Sequence, residues 1–122
     1  MKKILYLTVS KQWFDLIASG VKREEYREIK PYWIRRLFTY VNKIDTDFAK
    51  EIDTWINVEK QDYHAYQGLN FDNYTHVLFI NGYGANRPRI LKEIDSISIG
   101  KPKPGWCPKE FLDNNYFIIK LK

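Results

Sequence analysis

The chain has 122 residues and a single cysteine, Cys107, so no disulfide can form within it. That usage fits a reducing compartment, and the expectation is a cytoplasmic protein. Long hydrophobic runs are also missing: no stretch approaches the length of a membrane span. The opening Met1-Lys2-Lys3-Ile4-Leu5-Tyr6-Leu7-Thr8-Val9 has an apolar run too short for a secretory signal, and no small-residue cleavage site follows it. It reads as a first β-strand. Histidine is scarce. His64 and His76 stand at no metal-ligand spacing, and with one cysteine they cannot build a structural zinc site. Gly82-Tyr83-Gly84 lacks the third glycine and the following helix of a dinucleotide fingerprint. There is no Gly-x-Ser-x-Gly elbow and no phosphate-binding P-loop. No cofactor or metal is expected. Cys107 lies in a Pro-rich loop near Lys109, but no histidine stands in a recognisable relation to it, so a cysteine nucleophile is the weaker reading.

What is present describes one globular domain. Hydrophobic residues make up 44% of the chain and aromatics 16%, enough for a modest core at this length. The net charge is +5, and it is unevenly spread. Residues 44–75 hold seven acids against two bases, a net of −5, so the remainder carries +10. A basic body with an acidic segment describes a polar molecule with one cationic face; the alternative is a scatter of solvated lysines.

Periodicity orders the elements. Lys3 to Val9 is the first strand. Ser10 can cap a helix through its side-chain oxygen, and Trp13, Leu16 and Ile17 share one face of that helix. Gly20 ends it, where a helix terminus favours positive φ. A charged strand follows to about Ile29. Pro31 suits the first turn of a second helix, in which Ile34, Leu37, Phe38 and Val41 recur at helical spacing while Arg35 and Arg36 project away. The acidic stretch 44–74 reads as an elaboration within the single domain 1–122. It includes a possible short helix over Asp47 to Val58 and a tyrosine-rich loop after it. Thr75 to Asn81 is a near-continuous apolar run and reads as a buried strand. Turn residues fill Gly82 to Pro88. Arg89 to Ile99 reads as a further strand, Gly100 to Pro108 as a loop, and Asn115 to Leu121 as the last strand. The expected fold class is α+β: a small, partly open barrel of about five or six strands with two N-terminal helices.

The most informative segment is Gly20-Val21-Lys22-Arg23-Glu24-Glu25-Tyr26-Arg27. Core strands are built from β-branched and aromatic residues. Here only Tyr26 supplies an apolar body, so the strand lies on a solvated edge or faces a polar cleft. Glu25 and Arg27 are two apart and share one strand face, with Cα atoms roughly 6.6 Å apart. A carboxylate and a guanidinium so placed hold each other in position. Lys22, on the turn into the strand, can reach the same space. The site would hold two cations and one anion, suited to an anionic or amide-bearing ligand. The alternative is an edge strand guarded by its charges against aggregation.

Other candidates lie elsewhere in the chain. Glycines in the Gly82–Arg89 loop allow close backbone approach, Tyr83 offers a stacking face, and Arg87 and Arg89 can hold phosphates. Trp106 is a second stacking platform. Turn packing for Tyr83 and a lid over the core for Trp106 are the competing readings. Ser10 and Lys11 stand at the first helix N-terminus, where backbone N–H groups favour anions; the competing reading of Lys11 is a solvated lysine.

Gly20, Lys22, Glu25 and Arg27 fit the pattern Gly-x-Lys-x-x-Glu-x-Arg, and the octet resembles the signature of the ASCH domain family, a PUA-like group of small barrels. The resemblance implies a PUA-like β-barrel with a helical or loop insertion, and a cleft beside the charged strand that binds RNA or a nucleotide-like ligand. It also implies an alternative, a small hydrolase acting as a ribonuclease or on a modified nucleoside. In relatives that remove the acetyl group of N4-acetylcytidine, the active site uses a lysine and a threonine of the signature stretch and a glutamate elsewhere. Lys22 matches the lysine, Glu25 stands in the threonine position, and Glu59 and Glu93 are candidates for the glutamate by residue type only. On this reading Lys22 holds a phosphate or carbonyl oxygen, Glu25 accepts a proton or hydrogen bond, and Arg27 orients Glu25 and clamps the ligand. A third reading is a protein-interaction adaptor using the acidic segment.

Overall fold

The structure is a computed structural model, and it describes residues 1–38 and 71–122. The elements are β1 (Ile4–Val9), α1 (Lys11–Ala18), β2 (Glu24–Arg27), α2 (Pro31–Leu37), β3 (His76–Asn81), β4 (Arg89–Gly100) and β5 (Tyr116–Leu121), with a short 3-10 turn at Lys109–Phe111. The expected helix over Asp47 to Val58, His64, Glu59 and most of the acidic segment lie outside the described residues. Among those described, no helix is long and apolar enough to cross a membrane.

The strands form one mixed sheet in the order β1-β3-β4-β5-β2. β1 and β3 run parallel, with Leu5 beside Val77 and Leu7 beside Phe79. Every other pairing is antiparallel. β4 pairs with β3 through its first half and with β5 through its second, and a register shift between Ile94 and Ser96 separates the halves. Such a bulge bends and twists a strand. Here it lets one 12-residue strand serve both ends of the sheet.

The sheet is not closed into a barrel. β1 and β2 are its two edges, with no backbone ladder between them among the described residues. The expected barrel is therefore corrected to an open sheet. One side-chain link crosses between the edges: Arg27 Nη2 donates to the Thr8 carbonyl at 3.1 Å. This hydrogen bond joins the end of β2 to β1 where a closed barrel would carry a ladder.

Strand alternation sets the core. Leu5, Leu7 and Val9 of β1 are buried, as are Val77 and Phe79 of β3 and Phe117, Ile119 and Leu121 of β5. β3 is not buried on both faces as its apolar run predicts; Leu78 and Ile80 are half-buried. α1 packs Phe14 and Ile17 into the core, whereas Trp13 and Leu16 are only half-buried. The buried face is thus centred one residue away from the predicted stripe, which turns Trp13 toward the charged strand. α2 buries Ile34 and Leu37 and ends there. Phe38 is extended, not helical, and bridges to Phe71, on whose ring it stacks at 4.6 Å. Val41, the last residue of the predicted stripe, lies outside the described residues.

Candidate functional site

Local geometry delivers the charged octet to one place. α1 ends at Ser19, and Gly20 takes φ +83°, a conformation that costs glycine little. The chain reverses there, so that the Lys22 N–H reaches back to the Leu16 carbonyl at 3.0 Å. The Ser10 side chain makes no capping bond, although Ser10 does occupy the predicted N-cap position.

Lys22 ends with 2% of its surface exposed, and Glu25 with 5%. Lys22 Nζ lies 3.0 Å from Glu25 Oε1 and donates to the Trp106 carbonyl. It also sits 5.0 Å from the centre of the Trp13 ring and 4.8 Å from that of Tyr26. Arg27 Nη1 donates to Glu25 Oε2 at 2.6 Å and to the Tyr26 carbonyl at 2.8 Å. Its guanidinium lies 5.2 Å over the Trp33 ring. Glu25 therefore places one oxygen on each cation. The strand period brings Glu25 and Arg27 to one face, as expected, and the Gly20 turn adds Lys22.

Glu24 and Tyr26 form a second buried pair one register step away. The Tyr26 hydroxyl donates to Glu24 Oε1 at 2.8 Å and accepts the Lys103 N–H at 3.1 Å. Burial is the main reason that the Tyr26 phenol is pushed well above its ordinary range, and Glu24 adds to it. The two bonds to residues 103 and 106, from Tyr26 and Lys22, tie the loop between β4 and the 3-10 turn onto β2. Cys107 on that loop is buried, and its thiol is raised above 9.0 by burial, with Lys22 opposing and Glu110 adding. A thiol held in this way is a weak nucleophile at neutral pH.

These groups line a cavity of about 580 Å³, within the range of small-ligand sites. Its wall includes Lys22, Glu25, Arg27, Ser10, Tyr83 and Trp106, all named from sequence. Tyr83 stands at the rim with 88% of its surface exposed. Lys11, Arg87 and Arg89 are not brought there. Lys11 pairs with Asp15 one helical turn on, at 2.5 Å. Arg87 folds back onto its own turn and donates to the Asn81 carbonyl at 2.8 Å. Arg89 begins β4, opposite Ile80.

The same wall holds Tyr6, Thr8, Trp13, Tyr26, Tyr32, Trp33 and Arg36, which sequence reasoning did not assign to a site. A signal for some of them was available. Tyr6 and Thr8 alternate with the core residues of β1. Tyr32 and Arg36, at i and i+4, lie on the side of α2 away from Ile34 and Leu37, and Trp33 stands between that side and the core, so an aromatic and a cation on a polar helix face call for a partner.

No group of His, Cys, Asp or Glu among the described residues is placed to hold a metal ion. His76 sits half-buried in β3 with Nδ1 2.7 Å from Thr75 Oγ1, a structural contact. Comparison of the chain with protein-family models, with curated proteins and with solved structures found no match.

Proposed function

We propose that the cavity binds a nucleobase-bearing ligand, RNA or a nucleotide, and that the chain is an ASCH-type module of PUA-like ancestry with an open sheet. The observation that carries this reading is a buried Lys22–Glu25–Arg27 cluster in the wall of a ring-lined cavity. Burying charges costs free energy that an apolar cluster of equal volume would not cost. Arg27 and Lys22 also tie β2 to β1 and to the loop after β4, but those links would not by themselves call for a charged cluster facing a cavity, and a ligand that uses it accounts for that placement. Lys22 and Arg27 present donors for carbonyl or phosphate oxygens. Trp13, Tyr26, Trp33, Tyr83 and Trp106 present rings, and bases stack on rings whatever their sequence.

Binding is favoured over hydrolysis by the state of Glu25. Each of its oxygens already lies against a cation, at 3.0 and 2.6 Å, so the carboxylate is engaged in holding the cluster and a water would have only its remaining lone pairs to use. The threonine hydroxyl of the acetylcytidine-cleaving relatives has no counterpart at this position. Chromatography of N4-acetylcytidine incubated with the protein is expected to show no release of cytidine; rapid turnover would reverse the preference for binding.

The direct test uses the tryptophans that line the cavity. Nucleosides, nucleotides and a short single-stranded RNA are titrated while tryptophan fluorescence is followed. Saturable quenching is expected, and a Lys22→Ala/Arg27→Ala double variant should lose it. RNA affinity should fall with salt, each neutralised phosphate adding about −0.7 to the slope of log K against log salt. A flat salt response, or equal binding by the double variant, would point to another ligand class.

A further inference from the structure

We infer that the cavity contains a distinct anion subsite, formed by the Arg36 guanidinium and the Tyr32 hydroxyl, that selects phosphorylated nucleosides over unphosphorylated ones. The inference rests on the nucleobase reading above and names the ligand class within it. Charge is the first ground. Glu25 is shared between Lys22 and Arg27, and Glu28 is paired with Lys30 at 2.9 Å. Arg36 lines the same cavity but forms no ion pair with a described carboxylate. Among the described residues it is a cation of this wall with no carboxylate against it, whereas Lys22 and Arg27 share Glu25.

Geometry is the second ground. Arg36 Nη1 donates to the Tyr32 hydroxyl at 3.1 Å. Its guanidinium lies 5.7 Å over the Tyr32 ring and 5.4 Å over the Trp33 ring. Ring contacts hold the fork in place without consuming its N–H groups, of which a guanidinium has five. The Tyr32 hydroxyl accepts from Arg36 and keeps its own proton to donate. Two neighbouring donors are thus within reach of one phosphate oxygen, or of two oxygens of one phosphate. The last turn of α2, which carries Arg36, is anchored, because the Tyr74 hydroxyl donates to the Arg36 carbonyl at 3.1 Å.

Position is the third. Arg27 of the buried cluster lies over the same Trp33 ring, at 5.2 Å. The subsite is therefore one ring away from Lys22 and Glu25. A base held near the cluster would place its ribose phosphate toward the rim, where Tyr32 is 61% exposed.

The test measures one ratio in each protein. Affinities for a nucleoside and for its 5′- and 3′-monophosphates are determined by isothermal calorimetry for the wild type, Arg36→Gln, Arg36→Lys and Tyr32→Phe. Because both ligands meet the same preparation, a loss of folded protein cancels from the ratio. The wild type should prefer one monophosphate by at least about tenfold, and this preference should shrink as salt rises. Arg36→Gln should bring the ratio close to one. Tyr32→Phe should lower the ratio less, and Arg36→Lys should retain part of it. Nucleoside binding with no gain from phosphate overturns this inference and leaves the nucleobase reading standing. An undiminished ratio in Arg36→Gln overturns the assignment to Arg36. No binding of either ligand by the wild type removes both readings.

Discussion

A lysine with 2% exposure, three residues from a glutamate with 5%, is an uncommon pair to find inside a chain of this size. The two are not equivalent in what they lose when separated. Without Lys22, Glu25 still accepts from Arg27 at 2.6 Å. Without Glu25, Lys22 keeps, among the described residues, a carbonyl and two ring faces. Removing the anion from a buried pair costs about 3–5 kcal/mol, because a charge is left in low dielectric. Glu25→Ala should therefore destabilise by about that amount, and Lys22→Met, which matches the aliphatic stem, by clearly less. Urea unfolding of the two variants orders them. The reverse order would mean that Arg27 does not hold Glu25 once Lys22 is gone, and that Lys22 is the main partner of Glu25.

At the scale of elements, the loop after β4 depends on a few polar links to the charged octet. It is tied to β2 by Lys103 N–H on the Tyr26 hydroxyl at 3.1 Å and by the Trp106 carbonyl on Lys22. Tyr26→Phe removes one of these ties and also the donor to Glu24. The expected cost is about 1–3 kcal/mol. Amide exchange should speed up over residues 101–108 and stay slow in β3, where the Tyr26 hydroxyl makes no contact. The same phenol sets a pH response. Tyr26 and Tyr116 are raised above 10.0 and Cys107 above 9.0, mainly by burial. Below these ordinary values the groups are protonated in folded and unfolded chains alike, and their contribution to stability is constant. Above them the unfolded chain releases protons that the folded chain retains, so stability falls with rising pH. The urea midpoint should decline from about pH 9 to about pH 11, and the decline should be shallower in Tyr26→Phe. A parallel decline in the variant would remove Tyr26 as a contributor.

At the scale of the whole molecule, the two edge strands of the sheet are linked at the candidate site. Arg27 spans them by donating to Glu25 and Tyr26 on its own side and to Thr8 on β1. A planar fork can reach in these directions at once, and an ammonium on a flexible stem cannot. Arg27→Lys should keep the ion pair with Glu25 but lose the link to β1. The expected loss of stability is about 1.5–3 kcal/mol, the range for a hydrogen bond to a charged group. Faster exchange of the amides around Thr8 should accompany it. If β1 is as protected in the variant as in the wild type, its ladder with β3 holds that edge without help.

How much of this could be read from residues alone depends on the distance over which each feature is decided. Glu25 and Arg27 share a face because a strand repeats every two residues, and Lys22 joins them because Gly20 permits a left-handed turn. Both effects act within a few residues, so the sequence by itself determined the charged cluster, the end of α1 and the alternation of β1. Chain reach also placed Lys11 beside Asp15 instead of in the cavity, through an ion pair between neighbouring helical turns that the charges alone allowed one to see. Arg87 and Arg89 were misplaced because a loop's charges say nothing of where its ends are held: Arg87 is spent on its own turn and Arg89 is committed to β4. The strand order β1-β3-β4-β5-β2, the open seam between β1 and β2, and the meeting of Tyr32, Trp33 and Arg36 with Lys22 and Glu25 were decided only by tertiary structure. The reason is physical. Sheet order and closure follow from packing between segments far apart in the chain, where burial of Leu7, Phe79 and Phe117 in one core outweighs any local preference, and no spacing within the chain records it.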